Sequence, residues 1–278
     1  MHHHKWISIN GRLRDFSEVG LIKCDVCGLV NPEKDLRSHV SYESGTMHLW
    51  AKGWGEKPGK PSADQPRRLR EVASVLPKNG YFLDVGCGDG NFVRAVEKLT
   101  PNAFGIDPDS KHASSAMEDG VKIFANLTDL RGMKFQVISL FHTVEHFYNL
   151  PNELEEIRKL LAPDGRLMIE TPNANDALLT RYQSEPFSNF TFWSHHPNLC
   201  TNRFLAEALE NAGFRVERNT QVQRYGLANH LYWLSKGMPG GHEIWSTASN
   251  PDLDQDYGEH LISEGVADTI WIVAGHAN

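Results

Sequence analysis

The stretch that most constrains this chain is Phe82-Leu83-Asp84-Val85-Gly86-Cys87-Gly88-Asp89-Gly90, where a short apolar run passes straight into three alternating glycines. Phe82, Leu83 and Val85 read as the end of a buried parallel strand. Glycine accepts left-handed dihedrals and carries no Cβ, so Gly86, Gly88 and Gly90 permit a sharp turn that leaves backbone N–H groups open to a ligand. A helix is expected from Asn91 to Leu99, and a strand, glycine turn and helix in this order open a dinucleotide-type α/β unit. Ala103-Phe104-Gly105-Ile106 is the next apolar strand, and Asp107 ends it, 17 residues past Gly90. An acid at that place can grip a ribose diol. The glycine spacing is not the Gly-x-Gly-x-x-Gly of a nicotinamide site.

The remaining pattern alternates strands with helices. Leu69, Val72, Ala73 and Leu76 form the apolar stripe of a helix from Asp64 or Gln65 to Leu76, closed by Pro77-Lys78-Asn79-Gly80. Further helices are expected at Pro108 to Glu118, Leu150 to Leu161 and Asn202 to Ala212, the last capped by Gly213. Strands three to seven fall at Val121 to Phe124, Phe135 to Leu140, Arg166 to Glu170, Arg215 to about Tyr225, and Thr269 to Ala274, with a Pro163-Asp164-Gly165 turn before the fifth. About 40 residues, 226–266, separate the last two strands. An insertion of that length reads as a lid over an acceptor, with a homodimer surface as its other use.

A chain of 278 residues can bury about three quarters of its unfolded surface in one main core. Its net charge of −7 argues against a general nucleic-acid binder, which needs a basic face. No run of 18 apolar residues and no signal-peptide pattern stands out, so a cytoplasmic, membrane-free protein is expected. Cys24-Asp25-Val26-Cys27-Gly28 has the form of a zinc knuckle, but no second cysteine pair follows, and His39 and His48 lie at irregular spacing. Bound zinc, a metal-free turn and a redox pair all remain open. Four cysteines, with Cys87 in the glycine turn, do not look like a disulfide framework. His2, His3 and His4 resemble a trimmed tag and are set aside. Lys5 to Gly20 shows no strong period, and 41–66 reads as an irregular connector carrying Trp50 and Trp54. The expected division is an N-terminal segment over 1–60 and a main domain over 61–278.

From Asp84 to Gly90 and on through Asp107, the chain resembles the class I S-adenosylmethionine-dependent methyltransferases. Glu145-His146, Pro163-Asp164-Gly165, Pro172-Asn173 and the His196 to Thr201 segment follow in the family's order. The resemblance implies a Rossmann-like seven-stranded mixed sheet, strand seven antiparallel, with helices on both faces. It also implies S-adenosylmethionine as cofactor, held by Asp84, Gly86, Cys87, Gly88, Gly90, Asp107, Pro108, Asn126, Leu127 and Phe141. Asn126 and Gln136 stand where relatives usually carry Asp, and the Asn126 amide oxygen can still accept from an adenine amino group.

Methyl transfer to a hydroxyl asks the protein to position the acceptor and remove its proton. His142, Glu145 and His146 are spaced to share one face of a helical turn at the end of strand four, and His196 can join them. Three readings stand: His142 as the base, Glu145-His146 as a helix brace, or His142, Glu145, His146 and His196 as ligands of a divalent metal, as in the ubiquinone-pathway O-methyltransferases the chain resembles. The Pro186 to Trp193 and Tyr225 to Trp233 segments suit a sugar. With the Cys-x-x-Cys start they look like methyltransferases of surface-polysaccharide biosynthesis. A quinone or other aromatic acceptor, sugar C-methylation and a scaffold without catalysis are the alternatives.

Overall fold

A computed structural model describes residues 3–40, 62–109 and 120–277. The connector tryptophans Trp50 and Trp54, His48 and most of the expected helix from Pro108 to Glu118 lie outside the described residues.

Seven strands form one sheet: β4 (Phe82–Val85), β5 (Ala103–Ile106), β6 (Ile123–Phe124), β7 (Phe135–Phe141), β8 (Leu161–Pro172), β9 (Phe214–Val222) and β10 (Thr269–His276). Their spatial order is β6-β5-β4-β7-β8-β10-β9. β4 runs parallel to β5 and β7, whereas β10 is antiparallel to both β8 and β9. All four residues of β4 are buried, as a central parallel strand requires. The order reverses between β4 and β7, which puts a crevice at the carboxyl ends of those strands.

Helices pack on the sheet through the expected stripes. α1 (Gln65–Val75) buries Arg68 and Val72, and α2 (Asn91–Glu97) buries Phe92, Val93, Ala95 and Val96. α3 (Leu150–Leu160) buries Leu150, Leu154, Ile157 and Leu160, one face of a 3.6-residue period. α4 (Ala177–Thr180) and α5 (Glu185–Thr191) are short, and α6 (Asn202–Asn211) starts at Thr201, whose side chain accepts from the Phe204 N–H. Among the described residues, no helix is long and apolar enough to cross a membrane.

Several expected boundaries move. Strand three shrinks to Ile123–Phe124. The Pro163-Asp164-Gly165 turn is absorbed into β8, where the register jumps from Phe135 opposite Leu161 to Val137 opposite Arg166. Strand six stops at Val222 because the next backbone N–H groups, those of Arg224 and Tyr225, donate to the Asp268 carboxylate. The insertion folds as α7 (Leu227–Lys236), α8 (Gly241–Ile244) and α9 (Pro251–Ser263).

The N-terminal residues, which showed no period, form a three-stranded antiparallel meander of β1 (Trp6–Arg12), β2 (Gly20–Cys24) and β3 (Val30–Pro32). It packs on the segment leading into α6. Val30 bridges Leu199, Thr201 Oγ1 donates to the Cys27 carbonyl at 2.5 Å, and the Arg14 guanidinium lies 4.3 Å from the centre of the Trp193 ring. None of the four cysteines is in a disulfide.

Candidate active site

The crevice has one wall made of backbone. Gly86 and Cys87 N–H both donate to the Ile106 carbonyl, at 2.8 and 3.0 Å, which folds the loop back over the end of β5. Gly86, Gly88 and Gly90 all have positive φ, at 78°, 54° and 72°. The three differ in purpose. A Cβ on Gly86 would collide with the Thr143 side chain, so that glycine serves packing. Around Gly88 no atom of the described residues lies within 4 Å of where a Cβ would stand.

Asp107 is tied to this loop. One carboxylate oxygen accepts from the Gly88 N–H at 2.8 Å and the other from the Asp109 N–H at 2.9 Å. Pro108 beside it is exposed. Asp84 sits beneath the loop, 4% exposed, where Ser139 Oγ donates to it at 2.6 Å. Burial pushes its pKa up to about 7, against the pull of Ser139 and Arg68. The Cys87 side chain faces the core rather than the loop, packed against Gly105, and burial raises its pKa far above the thiol range. Asn126 is exposed and Leu127 half-buried, in a 3-10 turn where Asp129 accepts from the Asn126 N–H at 3.3 Å. The Phe141 ring stacks on Trp271 at 5.7 Å and meets Phe92 edge-on. The Gly88 turn beside an anchored acid fits a nucleoside bearing a short polar chain.

The opposite wall is made of side chains. His142 does not share a helical turn with Glu145 and His146, as its spacing had suggested. It takes a left-handed φ of 56°, and only Val144–His146 form a 3-10 turn, well before α3 begins. That kink points the ring between two carboxylates, with Nδ1 3.4 Å from Glu145 and Nε2 3.4 Å from Glu170. Arg224 Nη1 lies 3.0 Å from Nε2. Nε2 thus meets a guanidinium that can only donate and a carboxylate that can only accept, while Nδ1 faces Glu145. Burial and Arg224 depress the His142 pKa, but Glu145 and Glu170 outweigh them and the net shift is upward. Glu145 also accepts from Thr171 Oγ1 at 2.9 Å. Although burial disfavours its charge, His142 and the neighbouring histidines hold its pKa down at about 2.

Five residues of this wall escaped the sequence reading as site residues. Glu170, fully buried at the end of β8, accepts from Arg67 at 2.7 Å and Arg68 at 2.8 Å, while Arg224 pairs with Asp64 at 2.6 Å. A buried carboxylate must be paired, and despite burial His142 and Arg68 keep its pKa far below the usual value. The signals were faint: Arg68 stands four residues before Val72 on the buried stripe of α1, and Glu170 closes an otherwise apolar run. Nothing local marked Arg224.

A histidine cluster flanks Glu145. Nδ1 of His146 lies 2.7 Å from the His195 carbonyl, so it donates there and leaves Nε2 for another partner. Ligand atoms of Glu145, His146 and His196 all lie within 4.8 Å of one another. His142 is not in this group. Burial depresses the pKa of His195 to about 4 and that of His196 well below the histidine value, so both are neutral. Cys200 is fully buried with its pKa raised by burial.

Fold and site together define a cofactor-binding α/β enzyme of the methyltransferase type. Residues 62–219 match the profile of a methyltransferase domain family, and the chain belongs to that family, among the class I S-adenosylmethionine-dependent methyltransferases. It is 33% identical over 116 residues to a ubiquinone biosynthesis O-methyltransferase of Actinobacillus pleuropneumoniae, covering 34% of this chain and 48% of that protein. A probable S-adenosylmethionine-dependent methyltransferase of Mycolicibacterium smegmatis is 24% identical, with 66% of this chain and 70% of that one covered. The chain thus spans about half the length of its ubiquinone-type relatives. A solved methyltransferase structure from Archaeoglobus fulgidus shares the fold, with a TM-score of 0.57 at 18% identity over 82% of this chain and 98% of that one.

Proposed function

We propose that this protein methylates a hydroxyl group of a small acceptor, with His142 taking the hydroxyl proton. When bound, S-adenosylmethionine supplies a methyl carbon activated by its sulfonium. Gly86 to Gly90 and Asp107 would hold its methionine and ribose ends, and Asn126 and Leu127 its adenine. The observation that carries the reading is the His142 kink. It places an imidazole at the carboxyl end of β7, with Nδ1 toward Glu145 and Nε2 toward Glu170 and Arg224. A carboxylate behind the distal nitrogen fixes the tautomer and stabilises the cation that forms on proton transfer.

A hydroxyl-rich acceptor, such as a sugar or sugar nucleotide, is the first candidate. Between the insertion and the sheet, His230 is buried and holds Gln223 at 3.3 Å and the Tyr257 hydroxyl at 2.8 Å, a contact that fastens the insertion to the sheet. The aromatic residues that suggested stacking platforms give little support: Phe187, Phe190 and Trp233 pack on one another. A phenolic acceptor is the second reading. It is supported by the relatives named as ubiquinone biosynthesis O-methyltransferases and by Glu145, His146 and His196, which could hold a divalent ion that lowers the acceptor's pKa.

The test is turnover of wild type and His142→Ala on sugar nucleotides and on catechols, each with and without chelator. The base reading expects chelator resistance and a loss of about 10² to 10⁴ in turnover for His142→Ala, with cofactor affinity intact. An active His142→Ala under both conditions overturns it. Chelator-sensitive turnover of a catechol, with Glu145→Ala and His146→Ala equally inactive, supports the metal reading instead.

A further inference from the structure

The Cys-x-x-Cys-Gly turn and the N-terminal histidines, set apart in the sequence, meet in the structure. His4, just before β1, lies half-buried against the knuckle that joins β2 to β3, with Nδ1 3.7 Å from Cys27 Sγ. One ligand atom from each of His4, Cys24 and Cys27 falls within 4.8 Å of the others. A tetrahedral zinc with Zn–S of about 2.3 Å and Zn–N of about 2.0–2.1 Å requires S···N edges of about 3.6 Å. We propose that His4, Cys24 and Cys27 bind one zinc ion, or a cation of like chemistry, outside the catalytic crevice.

The local backbone suits that role. Cys24 N–H donates to the Leu29 carbonyl and Gly28 N–H to the Cys24 carbonyl, at 2.8 and 2.9 Å, which closes a tight knuckle with Gly28 at a φ of 80°. The Leu29 N–H points at Cys27 Sγ, as a donor that steadies a thiolate. Metal binding would release the two thiol protons and leave a neutral dithiolate–Zn²⁺ unit. Access comes from a cavity of about 770 Å³ lined in part by Cys24, Cys27 and Thr201, through which water can complete the coordination.

The site would tie the start of the chain to the segment carrying His195 and His196. The knuckle is already fastened there by Thr201 on the Cys27 carbonyl and by Arg203 Nη1 on the Val26 carbonyl at 2.8 Å. Structural zinc stabilises what it links.

The experiment measures metal content of the full chain after zinc loading and gel filtration, together with the near-ultraviolet thiolate-to-cobalt absorption of the Co²⁺-loaded chain. The expected result is one zinc per chain and a charge-transfer band, both retained in Glu145→Gln, which separates this site from the histidine cluster. Cys24→Ser should abolish the band. If that variant fails to fold, His4→Ala decides, with an expected loss of about tenfold or more in zinc affinity. No bound zinc with both thiols fully reactive overturns the proposal. So does metal that persists in Cys24→Ser but leaves with Glu145→Gln, and unchanged affinity in His4→Ala removes His4 from the ligand set.

Discussion

The two walls of the crevice are built from different materials. The cofactor wall is backbone: three glycines, two N–H groups on the Ile106 carbonyl, and one acid that buttresses the loop, all drawn from the unit between Phe82 and Asp109. The acceptor wall is charge. Glu170, Glu145 and Asp64 face Arg67, Arg68, Arg224 and His142, and partners such as Arg67 and Glu170 stand 103 residues apart. Backbone presents the same groups whatever the neighbouring side chains, so the first wall suits a ligand shared across a family. Side chains gathered from distant segments can be exchanged one at a time, and the second wall is where an acceptor would be selected.

The contrast can be broken by substitution. Glu170→Gln should have the largest effect, because it leaves Arg68 buried without its counter-charge. A cost of about 3–5 kcal/mol in chemical denaturation is expected, and a stability equal to wild type would show that the ionic wall is not holding the fold. Gly86→Ala comes next. Overpacking against Thr143 costs about 1–3 kcal/mol, and the left-handed backbone adds about 1–2. Gly88→Val carries the same left-handed strain without the Thr143 collision and should fail to bind cofactor, since its side chain would project over the loop. Calorimetry that found normal cofactor affinity in Gly88→Val would remove the cofactor from that loop.

Asp107→Ala should weaken S-adenosylmethionine binding by about 1.5–3 kcal/mol, the range for hydrogen bonds to a charged group. Titration calorimetry with unchanged affinity would reduce Asp107 to a brace for the Gly88 and Asp109 amides.

The smallest effect is in pH, where the walls oppose each other. The Asp84 pKa is raised from 3.8 to about 7, so its contribution to stability is fully present below pH 3.8 and lost as pH rises toward 7. The Glu145 pKa is depressed from 4.5 to about 2, so its contribution is present above pH 4.5 and lost as pH falls toward 2. Denaturation midpoints across pH should therefore lose their decline between about 4 and 7 in Asp84→Asn, and become flatter between about 4.5 and 2 in Glu145→Gln. If both variants kept the wild-type profile, neither carboxyl would govern it.

Much of the cofactor wall was legible in the sequence because its determinants are local. Glycines after an apolar run specify a turn through their own φ, and the spacing to Asp107 follows from one strand-helix-strand unit. The extents of α3 and α6 and the Gly213 stop were readable for the same reason. The kink at His142 was not. Its spacing to Glu145 and His146 is also that of a helix, and a residue other than glycine gives no sign that it will take a positive φ. What sets it is tertiary: the His142 N–H donates to the Glu170 carbonyl at 2.7 Å, and the ring lies between carboxylates contributed by two different elements.

The N-terminal meander was missed because β1 is largely exposed and leaves almost no apolar alternation to read. His4 was set aside because the opening histidines read as either a trimmed tag or a natural start, and only the pairing of β1 with β2, Trp6 opposite Cys24, carries it to the knuckle. Sequence by itself therefore determined the glycine turn and the alternation of strands and helices, which rest on dihedral preference and periodicity over short spans, while the seven-stranded sheet and the class of cofactor followed from the family resemblance those motifs carry. The arginine-carboxylate wall, the base geometry and the His4 contact were decided by the tertiary structure, because each requires charges or ligands from separate segments to be desolvated together, a condition that no single stretch of chain encodes.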